Sequence, residues 1–373
     1  MHKVELSYAL ARGRAPEALI RNPLMDLLAA VRAQGSISSA ARALGQSYRH
    51  VWGELKRWER ELGQPLIVWE RGQPARLTEF ADKLLWAERQ AQARLAPQIA
   101  ALHADLERAL ALAFDTSASV LVMRASHDTA LALLGEHCVP ARLLLDIRFS
   151  GSADALKELK SGRCAIAGFH LPPRTAPDSL FARTYKPLLR PEHHQLLGFA
   201  RRVQGLAVAR GNPLELNTIA DVAARRARFV NRPVGTGTRL LLDALCEQQG
   251  VASTALVGYD YEEPSHAAVA QAVAAGTVDT GLCIEAAARS RDLDFVPLLW
   301  EEYFLVCDKA LLAQPAIRAL QAVLRSESWL KRIATLVGYA PARSGEALAL
   351  RSVLPWWEAR GTASGRSRRK GGR

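Results

Sequence analysis

LLAAVRAQGSISSAARALGQSYRHVWGELKRWERELGQPLIVWERGQPARLTEFADKLL, residues 27–85, decides the fold. Apolar Leu27, Leu28 and Val31 recur at helical spacing and end a first helix, and Gly35 breaks it. Ser36 or Ser38 can cap a short second helix by accepting an orphan backbone N–H. That helix turns Ile37, Ala40, Ala41 and Leu44 inward, and its alanines let another helix cross closely. Gly45 supplies the turn, and Ser47 caps a third helix with Val51, Leu55, Trp58 and Leu62 along one face. Arg49, Gly53 and Lys56 lie opposite, with Tyr48 and Trp52 on the flank. A recognition helix presents its first residues to base edges and its later cations to phosphates, which suits this order.

Working outward, Pro65–Trp69 has strand character, Arg71–Ala75 makes a turn and Arg76-Leu77 returns. Such a wing would set Arg71 and Arg76 beside the DNA backbone. The segment GSISSAARALGQSYRHVW, followed by GQPLI and ARLT, resembles the winged helix-turn-helix of ModE-type and LysR-type regulators over residues 20–90. The resemblance implies a DNA-binding face made of Ser36, Ser38, Ser47, Tyr48, Arg49, His50, Trp52 and Lys56, with Arg71 and Arg76 on the wing. The wing departs from the family's frequent glycine run, since Gly72 stands alone, and this leaves its contacts open.

Composition bounds the rest. With 373 residues the chain is too long for one core, and 49% hydrophobic with 23% charged residues is a globular balance. No apolar run reaches 18 residues, and MHKVELSYALARGR has no signal-type apolar region, so a cytoplasmic location is expected. The cysteines at 138, 164, 246, 283 and 307 are odd in number and never spaced as CxxC, which fits reduced thiols and no metal site. Of the net charge of +12, +3 falls on residues 1–115, +3 on 116–350 and +6 on 351–373. Half the excess is therefore in the tail, and the pattern of residues 27–85, not the charge, carries the expectation of DNA binding.

Lys3–Leu10 alternates as a strand would, Asn22-Pro23 opens the first helix, and Thr78 caps a long helix to about Phe114. In it Leu95, Ile99, Leu102 and Leu106 form a seam of the kind paired helices use, and Pro97 should kink or restart the helix. A core-facing helix is the competing reading of that seam. From Ser119 short apolar strands alternate with helices, which predicts an α/β fold with a parallel sheet. Strands are expected at 120–125, 142–149, 165–169, 205–209, 228–231, 256–259 and 278–284, with return strands at 295–298 and 303–307. Helices are expected at Asp128–His137 and Asp154–Ser161. The last stretch, GTASGRSRRKGGR, is expected to be disordered.

Three turns sit at strand C-termini ahead of helices, where open α/β sheets bind ligands. They are Ala125-Ser126-His127-Asp128, Ser150-Gly151-Ser152 and Gly235-Thr236-Gly237-Thr238-Arg239. Hydroxyls and free N–H groups at helix starts hold anions without a formal cation. GTGTR lacks the GxxxxGK[ST] pattern, so an NTPase is not expected.

Segments including SHDTALALL, FSGSADALKELKSG, QGLAVARGNP and FVNRPVGTGTRLLLDAL resemble the periplasmic-binding-protein-like domain of some molybdenum-linked regulators and molybdopterin-biosynthesis fusions, over Val120–Tyr339. The resemblance implies a type 2, two-lobed fold in which the chain crosses near Gly205 and returns near Phe295. It places Ser126, His127, Ser150, Gly151, Ser152, Thr236, Gly237, Thr238 and Arg239 in an interlobe cleft, with Tyr259 as a further member. The small β-barrel sensors usual in molybdate-responsive regulators are missing, which puts the ligand in doubt. Molybdate or tungstate is the expected effector; a molybdenum-cofactor-related pterin, formate or another small anion is the alternative.

Other features favour plainer readings. His127 is expected near a helix cap, His193-His194 in a solvated loop, and Arg201-Arg202 and Arg225-Arg226 at the surface. Glu262-Glu263 is either solvated or helps to close the cleft, and Trp356-Trp357 anchors the end of the chain. The expected architecture is multidomain: an N-terminal α winged helix-turn-helix (1–77), a linker and dimerisation helix (78–115), an α/β two-lobed sensor (116–350) and a basic tail (351–373). Lobe I is assigned to residues 116–204 and 296–350, and lobe II to 205–295. The expected function is a non-enzymatic transcription regulator, homodimeric or homotetrameric, binding double-stranded DNA and a small anion, with no membrane partner and no covalent cofactor. The competing classes are an enzyme or accessory protein of molybdenum-cofactor metabolism, for which no nucleophile, metal set or phosphate loop is visible, and a ligand-storage protein.

Overall fold

The computed structural model describes residues 22–68, 74–114 and 118–357. The strand expected over Lys3–Leu10, Arg71 on the wing, and the tail beyond residue 357 lie outside the described residues. Helices α1 (Pro23–Gln34), α2 (Ile37–Ala43) and α3 (Tyr48–Leu62) precede strands β1 (Ile67–Val68) and β2 (Arg76–Leu77) and the long helix α4 (Glu79–Phe114). Then come β3 (Ser119–Ala125), α5 (Thr129–Cys138), β4 (Leu143–Phe149), α6 (Ser152–Lys160), β5 (Ile166–Leu171) and α7 (Leu180–Tyr185). Next are β6 (His194–Val208), α8 (Ile219–Ala224), β7 (Phe229–Val230), α9 (Gly237–Gln249), α10 (His266–Ala274) and β8 (Thr280–Ile284). The chain continues with α11 (Glu285–Arg289), β9 (Asp294–Asp308), α12 (Pro315–Arg325) and α13 (Glu327–Ala334). Strands β10 (Tyr339–Pro341) and β11 (Ala347–Ala349) and helix α14 (Leu350–Val353) follow.

The helix boundaries at the N-terminal end follow from their caps. Asn22 accepts from Leu24 N at 3.0 Å, Pro23 occupies the first turn, and Gly35 closes α1 at φ 62°. Ser36 caps α2 and Ser47 caps α3, each accepting from the N–H three residues on. Leu27, Leu28 and Val31, Ile37, Ala40 and Ala41, and Val51 and Leu55 form one core with Leu66, Ala75, Ala81 and Leu85. Each fully buried leucine contributes about 1.5–3 kcal/mol relative to exposure. Antiparallel β1 and β2 pair Ile67 with Leu77 and Val68 with Arg76. Thr78 donates to Pro65 O at 2.7 Å and accepts from Ala81 N at 3.1 Å, so one hydroxyl closes the wing base and caps α4.

Helix α4 does not restart at Pro97, as the proline suggested; it runs on as one helix of 36 residues. Proline deprives the carbonyl four residues earlier of its helical donor. Here that carbonyl, on Ala93, accepts the Ser265 hydroxyl at 3.0 Å instead, so the break is satisfied from outside the helix.

The chain packs into two compact units. The first contains residues 22–114, Gly205–Pro233 and Ser253–Pro297; the second contains residues 118–204, Val234–Ala252 and residues 298–357. In the second unit β3 runs parallel to β4 and β5, and β5 runs antiparallel to β9, pairing Ile166 with Cys307. Strands β10 and β11 pair antiparallel with β6. The sheet is therefore mixed, where a parallel one was expected. In the first unit β7 pairs parallel with β8, and α10 packs on α4.

Some expected elements differ. Strand β6 extends over 15 residues from His194, where a strand was expected only over 205–209, and the two return strands are one, β9. Leu256–Tyr259 is no strand: Phe229 N donates to Val257 O, and Gly258 at φ 94° folds the segment into turns against Phe229. Val234–Ala252 leaves the stretch assigned to lobe II and packs with residues 118–204. Residues 351–357, assigned to the tail, are ordered: Trp356 is buried, with its indole N–H on Thr175. Among the described residues no helix is long and apolar enough to cross a membrane.

Candidate effector site and DNA-binding face

In the second unit, β3 and β4 end side by side, with Ser150 N donating to Ala125 O at 2.9 Å. This brings two of the predicted turns together: Ser126 Oγ and Ser152 Oγ lie 3.3 Å apart, and Ser152 is fully buried. The third turn joins them because Val234–Ala252 packs here. A Cβ on Gly151 would lie 2.3 Å from Gly235 O and 3.2 Å from Thr236 N, an approach only glycine allows. A Cβ on Gly237 would lie 3.3 Å from Ser152 Oγ and 3.9 Å from the Tyr185 hydroxyl. Burial pushes the Tyr185 phenol up, with the Ser152 hydroxyl beside it working the other way.

The individual roles differ from one another. Asp128, not His127, caps α5, accepting from Ala130 N at 2.7 Å, and the His127 ring packs edge-on against Phe149. Gly151 precedes α6 without a side-chain cap, which leaves Ser152 Oγ facing Ser126. Thr236 caps α9 by accepting from Arg239 N at 3.3 Å. Arg239 is nearly buried and lies 3.5 Å from Asp243, one turn along the same helix. Thr238 Oγ1 accepts from Gln204 Nε2 at 3.1 Å. Tyr259 is the exception: it belongs to the first unit, where its carbonyl accepts from Asn231 Nδ2.

Beneath the turns lies a buried ionic network that sequence reading missed. Arg202, expected at the surface, is 2% exposed; it pairs with Glu301 at 2.6 Å and with Asp128. Burial lowers the basicity of its guanidinium, but Glu301 and Asp128 outweigh burial and raise it. Gln204 donates to Glu301 Oε1 at 3.0 Å, and Tyr339 donates to Asp128 Oδ2 at 2.8 Å. Burial first, and then Asp128, holds the Tyr339 phenol protonated so that it can donate. The network joins Asp128 at the start of α5 to Thr238 at the start of α9. One sequence signal pointed to it: strand alternation puts Arg202 and Gln204 on the same face of β6.

Two further expectations are corrected. His194 is buried at the start of β6, its Nδ1 accepting from Arg190 N, and burial lowers its pKa. Glu263 is 1% exposed and paired with Arg94, not solvated. All five cysteines are buried and unpaired in disulfides, and burial pushes the thiols of Cys138, Cys283 and Cys307 up to about 12. No cluster of three metal-ligating side chains occurs among the described residues.

On the N-terminal face, Arg49 and His50 are exposed at the start of α3, and Tyr48 stacks on Trp52 at 6.3 Å. Lys56 lies over the Trp52 ring and pairs with Glu59 at 2.7 Å. Glu59 also accepts from Leu66 N and Ile67 N, tying the wing to α3. Burial raises the Glu59 carboxyl, but Lys56 and these N–H donors outweigh it and leave it below its ordinary value. Ser36 and Ser47 serve as helix caps, while Ser38 and Arg76 are exposed.

Comparison with known proteins finds family matches over two parts of the chain. Residues 24–82 match the family described as bacterial regulatory helix-turn-helix protein, lysR family, and residues 137–325, half of the chain, match the PBP superfamily domain. The uncharacterized protein YvgK of Bacillus subtilis is 30% identical over 229 residues, 61% of this chain and 73% of that one. The HTH-type transcriptional regulator ArgP of Pseudomonas aeruginosa is 29% identical over 197 residues, 50% of this chain and 61% of that one. The crystal structure of CbnR, a LysR family transcriptional regulator, covers 80% of this chain and 98% of its own at 17% identity and a TM-score of 0.38, too slight a likeness to carry an argument. Both family matches are to regulatory and binding domains, so the enzyme reading falls.

Proposed function

This chain belongs to the PBP superfamily and carries a lysR-family helix-turn-helix, and from that premise we propose that its sensor recognises a small oxyanion. The architecture is that of a ligand-responsive LysR-type transcriptional regulator. Molybdate or tungstate is the first candidate, ahead of a molybdenum-cofactor-related ligand or formate. The observation that carries the reading is the 3.3 Å approach of the Ser126 and Ser152 hydroxyls, with Gly237 at the start of α9 stacked on Ser152. Neutral hydroxyls and the positive ends of α6 and α9 suit a compact anion and need no formal cation. Arg239, the one cation of these turns, is held by Asp243.

The DNA-binding reading rests on Arg49 and His50 exposed at the start of α3, on the stacked Tyr48 and Trp52, and on Ser38, Lys56 and Arg76 toward phosphates. A homodimer or homotetramer would cover Leu95, Leu102 and Leu110, which stand exposed along α4. Replacing Ser126 and Thr236 together with alanine tests the sensor. Calorimetric titration with molybdate, tungstate, sulfate and formate should show tight binding of one anion to the parent chain. The double variant should lose that binding and retain DNA affinity; an unchanged anion affinity would refute the site.

A further inference from the structure

Pro97 takes one hydrogen bond out of the middle of α4, and Ser265 Oγ fills the gap at Ala93 O. The same Ser265 oxygen accepts from Ala268 N at 3.0 Å and so caps α10. One residue along, Arg94 forks onto Glu263: its Nε lies 3.1 and 3.0 Å from the two carboxylate oxygens and its Nη2 2.6 Å from Oε1. The Tyr261 hydroxyl donates to the same carboxylate at 3.1 Å. Arg94 is 45% exposed at its side chain and Glu263 only 1%, so the buried carboxylate depends on an arm reaching in from α4.

The gripped segment, residues 261–265, is itself stitched to the end of β7. Asn231 N donates to Tyr261 O at 2.8 Å, Glu263 N donates to Asn231 O at 2.9 Å, and Arg232 donates to Pro264 O at 3.0 Å. Beyond Arg232 only Pro233 and Val234 separate this ladder from the Gly235–Arg239 turn. A guanidinium fork on a carboxylate has one good geometry, and sliding α4 would leave Glu263 buried without its cation. The contact therefore fixes one register of α4 against residues 261–265.

We propose that Arg94 and Glu263, with Ser265 at the proline gap, relay the state of the Gly235–Arg239 turn to the linker helix α4. The relay rests on the reading of that turn as part of the effector site. Ligand ordering of the turn would draw on Asn231 and Arg232, and through them on the segment that Arg94 holds. Arg94 and Glu263 are positioning residues here and touch neither ligand nor DNA.

Hydrogen exchange on the full chain tests this. In Arg94→Ala, residues 90–101 and also residues 231–239 should exchange about fivefold faster or more, the low end of ordinary coupling between sites. Strands β3, β4 and β5 should be unchanged. Arg94→Lys keeps the charge but not the fork and should recover only part of the protection. Acceleration confined to residues 90–101 and 261–265 would overturn the relay, as would a uniform rise across the chain. If Arg94→Ala does not fold, Ser265→Ala, which removes no charge, should give the same pattern or refute it. Molybdate added to the parent chain keeps the two readings apart. Absence of protection at 126, 150–152 and 236–239 sinks the molybdate reading, while the pattern in the variants still decides the relay.

Discussion

Replacing Arg202 with methionine should remove about 3–5 kcal/mol of folding stability, because it strands two buried carboxylates. Arg202 is 2% exposed, Asp128 0% and Glu301 1% at their side chains, so water cannot take over the lost hydrogen bonds. Two ion pairs with charge centres about 4 Å apart contribute roughly 4 kcal/mol each at an effective dielectric of about 20. Desolvation of the three ions offsets much of that sum, and for this reason the expected loss is smaller than the Coulomb total. The methionine occupies most of the arginine stem's volume, so no large cavity adds to the effect. Tyr339 and Gln204 remain as donors but carry no charge. Scanning calorimetry on the full chain of 373 residues should show a melting temperature lower by roughly 4–7 °C, at about 1.3 °C per kcal/mol. Adding Asp128→Asn and Glu301→Gln should restore most of the loss, since a neutral trio can stay hydrogen-bonded and the introduced asparagine can still cap α5. The account is refuted if Arg202→Met melts within about 2 °C of the parent chain, or if the triple variant is no more stable than the single one.

Three other outcomes follow from the geometry. Arg49→Ala should weaken sequence-specific DNA binding by about 1–3 kcal/mol in a gel-shift titration while hardly changing the salt slope; unaltered operator affinity would remove Arg49 from the recognition face. Gly151→Ala puts a methyl 2.3 Å from Gly235 O, so it should cost about 1–3 kcal/mol of stability and spoil anion binding; normal calorimetric titration of the variant would mean that the turns are not jointly required. Arg228 and its backbone N–H hold the Asp279 carboxyl below its ordinary value. A depressed carboxyl contributes stability above its unfolded pKa and loses it as pH falls through the folded one. Asp279→Asn should therefore flatten the acid side of the stability profile and lower stability at neutral pH, and an unchanged acid limb in denaturant titrations would refute the pairing.

The N-terminal domain was legible because its instructions are local. Asn22, Ser36, Ser47 and Thr78 each satisfy a backbone N–H two or three residues away, and Gly35 takes a left-handed turn at a helix end. Apolar spacing then names the core face, since Val51 and Leu55 have only one side on which to be buried. The hydroxyl turns were legible for a similar reason: a short strand, a small-residue turn and a helix start succeed one another in the chain. Pro97 misled because its cost was assessed within α4 alone, whereas the compensating hydroxyl comes from Ser265, 168 positions later.

Sequence by itself determined the caps that open α1, α3 and α4, which residues line the helix-turn-helix core, and that hydroxyl-bearing turns follow β3 and β4. Tertiary structure alone decided that Val234–Ala252 returns to those turns, that Arg202 is a buried counter-ion and that Glu263 is held from α4. Caps and periodicity act over one or two helical turns and leave a mark in the order of residues. Burial of a charge depends on partners brought from Asp128, Glu301 and Arg94 by the folding of the whole chain, and an arginine in a solvated loop reads no differently from one in the core.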